Sequence, residues 1–267
     1  MSVIGGVRRE SFPQRGERRF LIDEMTARLI LGILGRHLDL ATEERSTPWR
    51  TTVYCDTPDR QIYRAAESGA GVFMRFREYH SGRPQSAFSG AKTWLELKPI
   101  DEFSGKTRYA LPSHSIPALL RGDVELRREA SEPDGGLRQL LDAGVRPLFA
   151  TQYHRVAYAA RDAVRITADR ELSYAALPHW DASNDEAVPC LLGPILSTEY
   201  DVVIEMKWEQ ALPDWAVTVG EFLRPYALKG DDRKFVIGMR HLQGRATQPA
   251  TAVSAGVRLA DWPAGMS

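Results

Sequence analysis

The chain has 267 residues, 43% of them hydrophobic, which is enough to bury one large core, and a single domain is expected. Its 35 Lys and Arg balance 35 Asp and Glu, so no global field steers it to nucleic acid or to an anionic membrane, and attraction for a polyanion must be local. Two cysteines without metal spacing, Cys55 and Cys190, exclude a disulfide framework and read as buried thiols; with no charged leader and no long apolar run, a cytoplasmic chain without a membrane segment is expected.

Residues 1–14 are rich in Gly and Arg without a period and read as a disordered tail, as do residues 244–267; the folded domain is expected over 15–243. A strand at 17–22 leads into a helix over 23–38, where Met25, Leu29, Ile33 and Leu34 recur at helical spacing behind acidic Asp23 and Glu24. Residues 50–58, 71–79, 93–99 and 105–112 then alternate as consecutive antiparallel strands bounded by Gly, Pro, Asp or Ser. Helical fragments at 116–120 and 137–141 are separated by a break at Pro133, Gly135 and Gly136. Segments 151–160 and 163–174 form a hairpin over Arg161-Asp162, 201–208 is a further strand, a helix opens at Pro213-Asp214 and runs to about Tyr226, and residues 233–239 close the ordered part. The predicted fold is α+β, an eight-stranded antiparallel β-barrel tunnel with helices packed on its outside.

Seven of these segments carry charge at every second position: Glu17-x-Arg19, Arg75-x-Arg77, Glu96-x-Lys98, Lys106-x-Arg108, Tyr153-x-Arg155, Arg165-x-Thr167-x-Asp169 and Glu205-x-Lys207. Alternating strand side chains share a face, and the intervening residues (Met74 and Phe76, Leu95 and Leu97, Ile204 and Met206) are apolar and need covering. A solvated sheet face would mix signs, whereas here nine basic residues stand against four acids and like charges neighbour each other along one strand, an arrangement that suits an anion between them. Arginine forks grip phosphate oxygens in pairs, lysine neutralises as a point charge, and a carboxylate can hold a divalent metal that bridges phosphates. Glu205 is the first candidate for that metal, with Glu96 and Glu17 behind it. Other chemistry lacks its residues: Gly69-x-Gly71 has no third glycine, the six histidines show no paired metal spacing, no Gly-x-Ser-x-Gly elbow occurs, and Trp94, Trp208 and Trp215 read as core packing rather than base-stacking platforms, so no nucleic acid is expected.

The stretches ERRFLID (17–23), VYCDTPD (53–59), MRFREY (74–79), WLELKP (94–99), GKTRYAL (105–111), YHRVAY (153–158), VRITAD (164–169), VIEMKW (203–208) and KFVIGM (234–239), in this order, resemble the vacuolar transporter chaperone (VTC) domain, the polyphosphate polymerase module of the CYTH-like triphosphate tunnel metalloenzymes. The resemblance implies an eight-stranded tunnel in which Arg19, Arg75, Arg77, Lys98, Lys106, Arg108, Arg155, Arg165, Lys207 and Lys234 hold phosphates and Glu205 binds manganese or magnesium. It implies Glu205, Lys207, Arg75 and Arg77 as the catalytic group and ATP and inorganic polyphosphate as partners, with room for a membrane-protein partner. The chain departs from the pattern in two places: Glu17-x-Arg19 replaces a Glu-x-Glu-x-Lys strand, and Arg233 stands where a small hydroxyl residue precedes the closing Lys-Phe. Two alternatives stay open, a non-catalytic polyphosphate- or nucleotide-binding module and a metal-dependent tripolyphosphatase.

Overall fold

A computed structural model of the chain describes residues 8–12, 16–35, 38–41, 46–89, 92–100, 105–122, 135–159, 164–177, 191–209, 211–228 and 233–244. Eleven strands among them form one antiparallel sheet: β1 (Arg8–Phe12), β2 (Gly16–Ile22), β3 (Asp39–Leu40), β4 (Trp49–Asp56), β5 (Val72–His80), β6 (Lys92–Pro99), β7 (Lys106–Pro112), β8 (Arg146–Ala159), β9 (Val164–Ala176), β10 (Ile195–Glu199) and β11 (Val202–Trp208). The ladder runs β1-β7-β6-β5-β4-β8-β9-β11-β2, with β3 beside β8 and β10 beside β9. Helices α1 (Glu24–Leu34), α2 (Gln61–Glu67), α3 (Ile116–Arg121), α4 (Gly135–Asp142), α5 (Asp214–Phe222) and α6 (Lys234–Leu242) complete an α+β fold.

The sheet curls without sealing. Its two ends, β1 and β2, share no ladder among the described residues. They are nonetheless consecutive in sequence, and the four Cα steps from Phe12 to Gly16 span at most ~14 Å, so the edges must come back toward each other. Across the interior, Lys98 of β6 reaches Glu17 of β2, Nζ to Oε2 3.4 Å. The expected tunnel is thus present as a curled sheet that does not close among the described residues, bridged across its interior by the Lys98–Glu17 ion pair.

One face of the sheet is apolar and covered. Phe20, Ile22, Ile166, Ala168, Ile204 and Met206 pack beneath α1 and α5, while Met74, Phe76, Leu95, Leu97, Tyr109 and Leu111 belong to a second cluster with Ile116 and Leu119 of α3 and Leu137 and Leu141 of α4. In α1 the Asp23 carboxylate accepts from the Thr26 amide at 2.9 Å, which caps the helix as the acidic start suggests. Its buried stripe differs from the expected one: Ala27, Ile30, Leu31 and Leu34 face the sheet, and Met25 is 76% exposed. Because the helix starts at Glu24 and ends at Leu34, its inward direction is set by the centre of the helix, and Met25 in the first turn lies off it.

The additional strands β1, β3 and β10 are short, two to five residues, and carry no clear alternation. β1 occupies residues 8–12, inside the stretch that composition assigns to a tail. Helix α2 was not expected either; it forms because the buried Asp56 carboxylate accepts from the amides of Thr57, Ile62 and Tyr63 at 2.8, 2.9 and 3.1 Å, supplying the partners that its first turn lacks. Residues 233–239, given no secondary structure beforehand, lie mostly in α6. The Arg161-Asp162 turn, Cys190 and residues 245–267 lie outside the described residues, and Cys55 is buried as expected. No helix among the described residues is long and apolar enough to cross a membrane.

Candidate anion-binding tunnel

The register of the sheet decides which charges meet. Arg75 pairs with Glu96 and Glu96 with Arg108 across β5, β6 and β7, while Arg155 pairs with Asp169, Glu205 with Arg19 and with Thr167, and Lys207 with Glu17 and with Arg165. The charged alternation therefore lines a single concave face. Arg19, Arg75, Arg77, Lys98, Lys106, Arg108, Arg155, Arg165 and Lys207 stand on it with Glu10, Glu17, Glu96, Asp169 and Glu205, and Lys234 reaches it from helix α6, so the face stays basic after internal pairing.

Three ion-pair groups organise it. In the first, Glu96 is fully buried and accepts from Arg75 Nε and Nη2 at 2.8 and 2.7 Å and from Lys106 Nζ at 2.8 Å, with Arg77 Nη1 at 3.7 Å. Burial raises the cost of its charge, but Arg77, Arg75 and Lys106 outweigh it and hold the carboxyl well below the usual carboxylate range. Lys106 pays for the crowding: burial and the two neighbouring arginines, against Glu96, bring its ammonium down to about 8.

In the second group, Arg155 clasps Asp169 through Nε and Nη2 at 2.6 and 2.8 Å, and Lys234 Nζ adds a bond of 2.5 Å. Burial opposes the charge, yet Arg155 and Lys234 hold the Asp169 carboxyl at about 2. A bulge makes this meeting possible. The β8–β9 register shifts between Gln152 and His154, and Glu171 takes φ 53°, a left-handed conformation rare for a side chain of its kind. Tyr153 lies opposite that bulge, fully buried, with Lys234 Nζ 3.7 Å and Arg155 Cζ 5.2 Å from its ring centre. Burial alone would push its phenol up; Arg77, Arg155 and Lys234 overcome this and lower it to about 7.

The third group meets the second at Arg155. Lys207 Nζ lies 2.7 Å from Glu205 Oε2 and 3.6 Å from Glu17 Oε2, Lys98 Nζ is 3.4 Å from the same Glu17 oxygen, Arg19 Nε is 3.5 Å from Glu17 Oε1, and Arg155 Nη2 is 3.8 Å from Glu205. Burial pushes Glu205 up, and Lys207, Arg155 and Lys98 together hold it well below the usual range. Glu205 and Glu17 are diagonal neighbours on adjacent strands and share the Lys207 ammonium, and they are the two carboxylates that would hold a divalent cation. Glu96, the other carboxylate considered for a metal, is held by Arg75, Arg77 and Lys106. Among the described residues no three His, Cys, Asp or Glu side chains converge.

Helix α6 fills the deep end. Phe235 packs its ring 5.0 to 6.1 Å from Phe73, Tyr54 and Phe149, which places neighbouring Lys234 on Asp169 and Tyr153. Toward the other end, Arg108 pairs through Nε with Glu10 of β1 at 2.7 Å and rests 3.9 Å from the ring centre of Trp94. Trp94 is buried, as the core-packing reading expects, and it stands on the charged face. Sequence reasoning passed over Tyr153 as a site residue, although its spacing of two from Arg155 places it on the same face; Glu10 was hidden in the presumed tail.

Fold and face together define a curled antiparallel β sheet with a basic interior face. A model of the VTC domain matches residues 14–224, and the chain belongs to this family. A search of curated proteins found no match. Among solved structures, the chain is similar to a putative adenylate cyclase from Bacillus halodurans (15% identity, 80% of this chain and 90% of that one, TM-score 0.45). It is also similar to a putative adenylyl cyclase from Hippeastrum described as having a dominant triphosphatase activity (14% identity, 89% of this chain and 99% of that one, TM-score 0.49).

Proposed function

We propose that the chain is a polyphosphate polymerase-like phosphotransferase that binds ATP and inorganic polyphosphate in the tunnel and moves the terminal phosphoryl group of ATP onto the end of the chain. The observation that carries this reading is the continuous ion-pair network from Lys106 through Glu96, Arg75 and Arg77 to Tyr153, Arg155, Asp169 and Lys234, and on to Glu205, Lys207, Glu17 and Lys98. Phosphoryl transfer asks little covalent work of a protein, and its rate depends on positioning and on charge placed where oxygens become more negative. Arg75 and Arg77 present forks to the transferred group; Lys207 and Lys98 neutralise flanking phosphates; Arg155 and Lys234, fixed by Asp169, hold the chain at the deep end. The terminal oxygen of the polyphosphate forms the new P–O bond as the β–γ bridge of ATP breaks and ADP leaves, so no protein nucleophile is required. A divalent metal, Mg2+ or Mn2+, held by Glu205 and Glu17 would supply further positive charge to the phosphate oxygens.

Incubation of purified protein with ATP and Mn2+ should yield polyphosphate, and Glu205→Gln should reduce the rate at least tenfold while retaining polyphosphate binding. Binding without turnover under any divalent metal would instead make the chain a binding module. Hydrolysis of a short triphosphate is a second reading, supported by Phe235 filling the deep end, which leaves little path for a product to thread onward; release of orthophosphate from tripolyphosphate would distinguish it.

A further inference from the structure

The face extends beyond the network just described. Four residues before Glu96 on the same strand and the same face, Lys92 is exposed at the end of β6 away from α6, and its Nζ lies 4.2 Å from the centre of the Trp94 ring. Arg108 approaches the same ring to 3.9 Å, so two cations share one aromatic support, and Trp94 is only 9% exposed. Four residues of strand amount to about 13 Å, which separates Lys92 from the carboxylate at the heart of the inner group. We propose that Lys92 and Arg108, steadied by Trp94, form an outer phosphate subsite that engages chains longer than a triphosphate held at Arg75 and Arg77. Glu10 on β1 occupies Arg108 when no chain is present, as the carboxylates deeper in the tunnel occupy their own arginines. Trp94 is a positioning residue here: a solvent-exposed ammonium gains little from a distant anion unless its rotamers are restricted, and the indole face restricts two cations at once.

This inference rests on the phosphate-chain reading, and the test separates the two. Titration of the full chain and of Lys92→Gln with tripolyphosphate and with long-chain polyphosphate should show a roughly threefold to tenfold loss of long-chain affinity in the variant and no change for tripolyphosphate. Lys92→Arg, which keeps a cation on the ring, should restore long-chain affinity. An equal loss for both ligands, or none for either, overturns the outer subsite while leaving the inner one intact. Failure of the wild-type chain to bind either anion sinks the phosphate-chain reading itself.

Discussion

Glu96 shows what a single buried carboxylate does in a basic tunnel. Removing its charge with Glu96→Gln leaves Arg75, Arg77 and Lys106 packed together without an anion, a situation that costs about 3–5 kcal/mol when a buried pair loses one member. The variant should therefore melt well below the wild type, and tripolyphosphate should recover much of the loss by supplying the missing negative charge; a melting point unmoved by the substitution would contradict the geometry. Lys106 gives a pH signature. With its ammonium at about 8 in the free protein, rising pH through that value removes a positive charge from the phosphate site, so affinity for tripolyphosphate should fall there. Tyr153 gains negative charge on passing about 7 and works in the same direction. Lys106→Arg should erase the upper step of the affinity profile and keep the lower, and Tyr153→Phe should do the reverse. The cations of this site were legible because strand periodicity puts them on one face. Which acid would hold which cation was not, since that depends on the register between strands far apart in sequence, and a one-residue slip would change every pair.

At the scale of an element, α6 is the sharpest case. A Cβ on Gly238 would stand 2.1 Å from the buried ring of Phe149, so the helix can sit on β8 at this distance only with glycine there. Gly238→Ala should displace α6, lower the melting temperature, and weaken phosphate binding through Lys234, which the helix delivers to Asp169. Gly32 is the contrast: it lies within α1, faces solvent and has nothing within 4 Å of a built Cβ, so Gly32→Ala should stabilise by about 0.5–1 kcal/mol through helix propensity and leave binding alone. Calorimetry of the two alanine variants side by side checks both signs. The long alternating strands and α1 could be read from sequence because each repeats its period several times. Helix α2 could not: seven residues hold less than two apolar repeats, and its stability comes from Asp56, a residue that precedes it by five and reads as the end of a strand.

The whole molecule is a compact charge lattice whose balance depends on pH. Asp169 has a native value of about 2 against an ordinary 3.8, so the native state is favoured by about 2 kcal/mol above the ordinary value, and this advantage disappears as pH falls from about 4 toward 2. Acid unfolding should follow that window, and Asp169→Asn should lose the advantage at neutral pH too. Ligand linkage acts in the opposite sense: an anion that binds only the folded tunnel stabilises it in proportion to the logarithm of its concentration over Kd, and added salt should weaken the effect. The balanced net charge of the sequence concealed all of this, because equal totals say nothing about where the charges are placed. Class and curvature were legible in the pattern of strands; the open seam was not, because one of its two edges is β1, a five-residue strand inside an apparent tail.

That seam has a topological consequence. A tube sealed around its circumference admits a polymer only by its end, and a long filament must be threaded through. A curled sheet whose β1 and β2 share no ladder among the described residues need not be threaded, since a filament can be laid in from the side, as a clip takes a cord.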